Sequence, residues 1–233
     1  MVEIIQSIDA LIEKSKIIQS KRRQAKVKLY CEGLKAKLEQ VSFALSSVDG
    51  FSQRSDETVS TTEKNAPSIA IQVAFYCDAF WTFLYSSLDV LSQIVNQTMA
   101  LGLKEKDVSF NQIKNKLGGN AYLNTEIYKK ITKCYKSRAF KNLENYRNCS
   151  IHRRQIYIEE VCETKNIRRT AGYNSTATTN NATIVVTRTL CDNPLTQKPQ
   201  IKQKRIIPAY MAETQTNIIK SIKEIVKAIE FKQ

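Results

Sequence analysis

Residues 67–103 do most to limit what this chain can fold into, because Asp78 and Asp89 are their only charged side chains. Val73, Cys77, Phe80, Leu84, Leu88, Leu91 and Val95 recur every three or four positions, the period of a helix. Phe75, Tyr76, Trp81, Phe83 and Tyr85 widen that stripe nearly all the way round. A helix apolar on every side must be surrounded, either by lipid or by other helices. Each aspartate would cost about 3 kcal/mol in a bilayer. Gln72, Ser86, Ser87, Gln93, Asn96 and Gln97 add further polar load. The stretch therefore reads as the central helix of a bundle, opened near Pro67. Asp78 and Asp89 are three helical turns apart and share a face, and each needs a cation from a neighbouring helix.

The rest of the chain supplies the surround. Residues 2–47 read as one long helix, with Ile4, Ile8, Leu11, Ile18, Ala25, Leu29, Leu34, Leu38, Val41 and Leu45 on its apolar side. Lys14, Lys16, Lys21, Arg22, Arg23, Lys26 and Lys28 crowd its middle, as a solvated face or an RNA-tracking stripe would. Gly50 reads as a C-cap, and residues 47–66 as a polar loop. A short helix over 109–117 ends at Gly118 and Gly119. Asn124 or Thr125 then caps a helix running to about 149 through Tyr128, Ile131, Tyr135, Phe140 and Leu143. Residues 155–164 and 182–191 are β-branched runs around a Ser/Thr/Asn-rich tip, the pattern of a long hairpin. Pro208 opens a last helix to 231. The expected fold is mainly α: an antiparallel helical bundle of residues 2–47, 67–103, 124–149 and 208–231. It forms one domain over 1–233, with a β-hairpin at 155–191 inserted before the last helix.

The chain has 233 residues and a formal net charge of +14. So basic a balance favours polyanionic partners, nucleic acid before anionic membrane, although Lys-rich surfaces also occur with no such partner. The six cysteines show no Cys-x-x-Cys pair, and one histidine cannot complete the usual zinc sets, so neither a metal nor a cofactor is expected. Buried free thiols are the expected state of the helical cysteines. The start, MVEIIQSIDA, is unlike a signal peptide, so the cytoplasm is the expected location.

The lone histidine sits in Tyr146-Arg147-Asn148-Cys149-Ser150-Ile151-His152-Arg153-Arg154. Arg147 brings a permanent planar charge suited to phosphate. His152 can exchange a proton near neutral pH. RNA cleaves itself when its 2′-hydroxyl attacks the adjacent phosphorus, and proton transfer plus charge stabilisation are enough to help it. His152 suits the first task and Arg147 the second, with Asn148 bonding substrate or holding the turn. Glu144 is placed to steady Arg147 by an i,i+3 pair. Asp89, with Asp78 on the same face, either orients Arg147 or His152 or forms a salt bridge that only holds the bundle. Arg138, Lys141, Arg153 and Arg154 would extend a phosphate track. Cys149 and His152 could be drawn as an acyl-transfer dyad, but no oxyanion-loop signature accompanies them.

The Arg-Asn-x-x-x-His stretch, coming after two long helices and a later one, resembles the signature of HEPN domains. These are helical bundles that include many metal-independent ribonucleases. The resemblance implies Arg147 and His152 as a catalytic pair, with Asn148 as the polar residue after the arginine. It also implies a homodimer whose motifs face each other, RNA as substrate, and an antitoxin or defence-system protein as partner. Family bundles more often continue into another helix where this chain runs into the hairpin. The competing reading keeps the same bundle as a non-catalytic module that binds RNA, nucleotide or a partner protein.

Overall fold

The computed structural model describes the backbone of residues 1–52, 69–119, 121–152, 158–168, 180–190 and 205–231, and the side chains of 1–51, 71–119, 121–148 and 207–231. The described residues are mainly helical. In chain order they form α1 (Val2–Lys14), a 3-10 turn (Ser15–Ile17), α2 (Lys21–Ser52), α3 (Ile69–Thr98), α4 (Phe110–Leu117), α5 (Glu126–Lys136), α6 (Arg138–His152), β1 (Ile158–Arg168), β2 (Asn180–Leu190), β3 (Arg205–Ile206) and α7 (Ile207–Lys227).

The long apolar helix is α3, and it is the centre of the bundle. Val73, Cys77, Phe80, Trp81, Leu84, Leu88, Leu91 and Val95 are buried. Its main partner is α2, whose Val27, Cys31, Leu34, Leu38, Val41, Ala44 and Val48 form a buried seam at three- and four-residue steps. The two run antiparallel: Arg23 at the start of α2 meets Gln97 at the end of α3, and Phe51 at the end of α2 stacks on Tyr76 near the start of α3. The expected envelopment of α3 is incomplete, since Phe75 is 64% exposed. Among the described residues, no helix is long and apolar enough to cross a membrane.

Several boundaries differ from expectation. The first helix breaks after Lys14, where Ile18 is extended and the Ser20 Oγ accepts the Arg23 N–H at 3.4 Å. The break resets the helical phase. Val27 and Cys31 therefore enter the core, while Ala25 is exposed and Leu29 is 66% exposed. Gly50 is not a C-cap; α2 continues to Ser52, past Phe51 packed on Tyr76. The expected loop at 47–66 begins later, and residues 53–66 lie outside the described residues, as does Pro67.

The central helix ends at Thr98, not Leu103, because Ala100 and Gly102 take left-handed backbone, φ 52° and 75°. There the Arg23 guanidinium donates to the Gln97 carbonyl at 2.8 and 3.1 Å and to the Thr98 carbonyl at 3.4 Å. A cation at the negative end of α3 satisfies carbonyls that the helix itself cannot. Lys26 pairs with Glu105. Part of the basic stretch in α2 thus ties helices together.

The helix expected over 124–149 is two helices. Thr125 caps α5, and Ser137 has extended backbone and accepts the Phe140 N–H at 3.1 Å to start α6. The second helix then reaches His152, three residues beyond the expected end, so Arg147 to His152 lie within it. The last helix begins at Ile207 and ends at Lys227. Cys31, Cys77 and Cys134 are buried free thiols. Burial pushes Cys31 up to about 12 and Cys134 up to about 11, too high for thiolate chemistry at neutral pH.

β1 and β2 pair antiparallel in one register from Ile158 opposite Leu190 to Arg168 opposite Asn180. β3 joins the edge of β2 at Thr189 and Leu190, immediately before α7. Residues 153–157, 169–179 and 191–204, which carry the ends and tip of the expected 155–191 hairpin, lie outside the described residues.

Candidate nucleic-acid site on α6

Buried aromatic rings seat α6 on α3. Tyr146, 1% exposed, stacks on Trp81 with ring centroids 4.5 Å apart and planes 12° apart. Phe140 lies 6.2 Å from Tyr85. These pairs step backward along α3, so the two helices run antiparallel. The motif end of α6 therefore points toward the N-terminal half of α3, where Asp78 sits. Asp89 lies about 16 Å away along the helix axis.

Arg147 is half-buried and held by neighbours on both sides. Its guanidinium lies 4.9 Å from the centre of the Tyr85 ring, and its Nη1 donates to Asn148 Oδ1 at 3.1 Å. The ring face attracts the cation without neutralising it. Tyr85 is pushed up to about 12, first by burial and then by the charges of Asp89 and Glu144, with Arg147 opposing. It remains a neutral phenol at physiological pH.

Asp89 accepts the Phe110 N–H at 3.2 Å and so holds the first turn of α4. Burial raises its pKa above the ordinary 3.8, against the opposing pull of the Phe110 N–H and the Arg147 charge. Asp89 thus touches α4 through a backbone N–H and feels the Arg147 charge.

A second basic and aromatic cluster continues along the same helix. Lys141 is exposed, and its ammonium lies 4.6 Å from the centre of the Tyr135 ring on α5. Lys114 of α4 lies 4.3 Å from the same ring. Tyr135 rests on Phe140 at 5.0 Å, which links this cluster to Tyr85 and Arg147. Sequence reasoning named Lys141 but missed Lys114, Tyr135 and Tyr85. Only the i,i+6 pairing of Tyr135 and Lys141 across Ser137 could have signalled part of it, and the helix break hid that pairing.

The remaining sequence candidates fall as follows. Arg138 is exposed at the first position of α6, and Glu144 is half-buried one turn before Arg147. His152 is the last residue of α6; its side chain is outside the described residues, as are Arg153 and Arg154. Arg147 and His152 are five positions apart on one helix, so their Cα atoms lie about 140° apart around its axis. Asn148 and His152, four apart, share a face. Among the described residues, no group of three or more His, Cys, Asp or Glu side chains could hold a metal ion.

A helical bundle with this arginine motif near the end of a late helix has a counterpart among known families. The model of the Cthe2314-like HEPN family matches residues 30–190. The chain belongs to this HEPN family. The matched span covers α2 from Tyr30 onward, the central α3, all of α6 and both long strands, ending at the last residue of β2. Neither curated proteins nor solved structures give a match.

Proposed function

We infer that this HEPN protein is a metal-independent endoribonuclease that cleaves RNA by attack of the 2′-hydroxyl on the adjacent phosphorus. The observation that carries the reading is the pre-set Arg147 guanidinium, held over Tyr85 and bonded to Asn148. A fixed cation needs no reorganisation as charge builds on the phosphoryl oxygens. His152 supplies the proton transfers: one imidazole takes the 2′-hydroxyl proton and one gives a proton to the leaving 5′-oxygen. A single histidine serves both steps poorly. The active form is therefore a homodimer in which two copies of α6 contribute their motifs to one cleft. The divergence of Arg147 and His152 around one helix fits a site completed by a second copy.

Arg138, Lys141, Arg153 and Arg154 extend the phosphate track, Glu144 and Asp89 steady Arg147, and Asp78 supports the motif end of α6. The whole chain acts as one domain in the cytoplasm, with the strand pair inserted in the bundle before its last helix. An antitoxin or another defence-system protein is the partner that would restrain such an enzyme.

The non-catalytic module remains the second reading. It is favoured by Arg147 being tied to its own chain at Tyr85 and Asn148, as a structural arginine would be. Labelled single-stranded RNA incubated with excess chelator separates the two. Fragments ending in a 2′,3′-cyclic phosphate support cleavage; intact RNA bound by the protein supports the module.

A further inference from the structure

Lys114, Tyr135 and Lys141 come from three different helices and converge on one ring. Like charges repel, so two ammonium groups brought to one ring require a reason. Elsewhere Lys26, Lys35, Lys130 and Lys223 bridge elements by meeting carboxylates (Glu105, Asp9, Glu224 and Glu3), and Lys37 lies singly over the Phe83 ring, 4.8 Å from its centre. Among the described residues, neither Lys114 nor Lys141 has a carboxylate partner, and Lys114 is steadied instead by Asn115 Oδ1 at 3.2 Å. The ring holds both cations and leaves their charge intact, so the cluster is a positive site prepared for an anion.

We propose that Lys114 and Lys141, fixed on Tyr135, form a second phosphate site that grips single-stranded RNA beside Arg147. Lys141 precedes Arg147 by six positions on α6, about 9 Å along the axis. The ring chain Tyr135–Phe140–Tyr85 joins the two sites, so they keep a fixed spacing. One strand can lay one phosphate on the lysine pair and present another to Arg147. The site then sets the register of the strand, and with it the bond brought to the motif. The identity of the anion rests on the nuclease reading; the existence of the site does not.

The test is fluorescence anisotropy of a labelled oligouridine against the full-length protein across a salt series. Lys114→Ala with Lys141→Ala should lower the salt slope by about 1.4, or 0.7 per lost single-strand contact, and weaken binding about 25-fold at 0.1 M salt. Tyr135→Leu should also weaken binding, and Tyr135→Phe, which keeps the ring, should restore it. Thermal melts confirm that each variant is folded. An unchanged slope in the double variant, equal binding by Tyr135→Leu, or no binding by the wild-type protein overturns the proposal. Displacement of the oligonucleotide by inorganic phosphate at constant ionic strength also overturns it, in favour of a free-phosphate site. A changed slope without cleavage by the wild type retires the nuclease and leaves this site standing. Cleavage with an unchanged slope does the reverse.

Discussion

Replacing Tyr146 by alanine should loosen the seat of the motif more than any change to the motif itself. The ring is buried and stacked on Trp81 at 4.5 Å. Truncating a fully buried large aromatic costs about 3–5 kcal/mol. Stacking accounts for about 0.5–1.5 kcal/mol of such a loss. Against a typical folding stability of about 5–15 kcal/mol, that is a large fraction. Trp81 is the only tryptophan in the chain, so its fluorescence reports on the contact being broken. Urea unfolding followed by that fluorescence should show the full loss for Tyr146→Ala. Tyr146→Phe keeps the stack and should lose less than about 1.5 kcal/mol, the scale of one hydrogen bond. The folded alanine variant should also show altered tryptophan emission. A loss below about 1 kcal/mol with an unchanged spectrum would refute the claim that this stack seats α6 on α3.

Two further outcomes follow from the same contacts. Asp89 has a folded pKa above 3.8, so the folded state holds its proton more tightly than the unfolded chain, and its contribution to stability falls as pH rises through that window. Asp89→Asn keeps an acceptor for the Phe110 N–H and should melt at or above wild type at pH 7, with the gap closing below pH 3.8; melts across that range check it, and a variant less stable at pH 7 contradicts it. Arg23→Ala should cost about 1.5–3 kcal/mol in urea unfolding by uncapping α3. Lys16→Ala, which breaks only an exposed pair with Glu13, should cost at most about 1 kcal/mol, and equal losses for the two would contradict the capping role.

The central helix was legible because an all-round apolar surface leaves few alternatives, and the buried residues of α3 are largely those its period picks out. The breaks at 15–20 and at Ser137 were not. Each turns on one serine that competes for backbone hydrogen bonds, and a three-to-four-residue period runs through such a position without interruption. The cost of missing the first was a wrong core face in α2, with Leu29 chosen over Cys31. At the site, Arg147 and Asn148 were readable as a motif within one stretch of chain. Tyr85, Lys114 and Tyr135 were not, since they meet that stretch only through the packing of α3, α4 and α5 against α6. Asp89 was legible as a buried carboxylate in need of a partner, yet its hydrogen bond to the start of α4 depends on a contact that no local pattern encodes.

The most direct test of the account is single-turnover cleavage of labelled single-stranded RNA with chelator in excess, comparing wild type with His152→Ala and Arg147→Ala. Wild type should release fragments ending in a 2′,3′-cyclic phosphate. Each variant should be slower by about a hundredfold or more, the scale of a lost proton-transfer or charge-stabilising group. Cleavage that requires a divalent metal, or that proceeds at the full rate in His152→Ala, would contradict it.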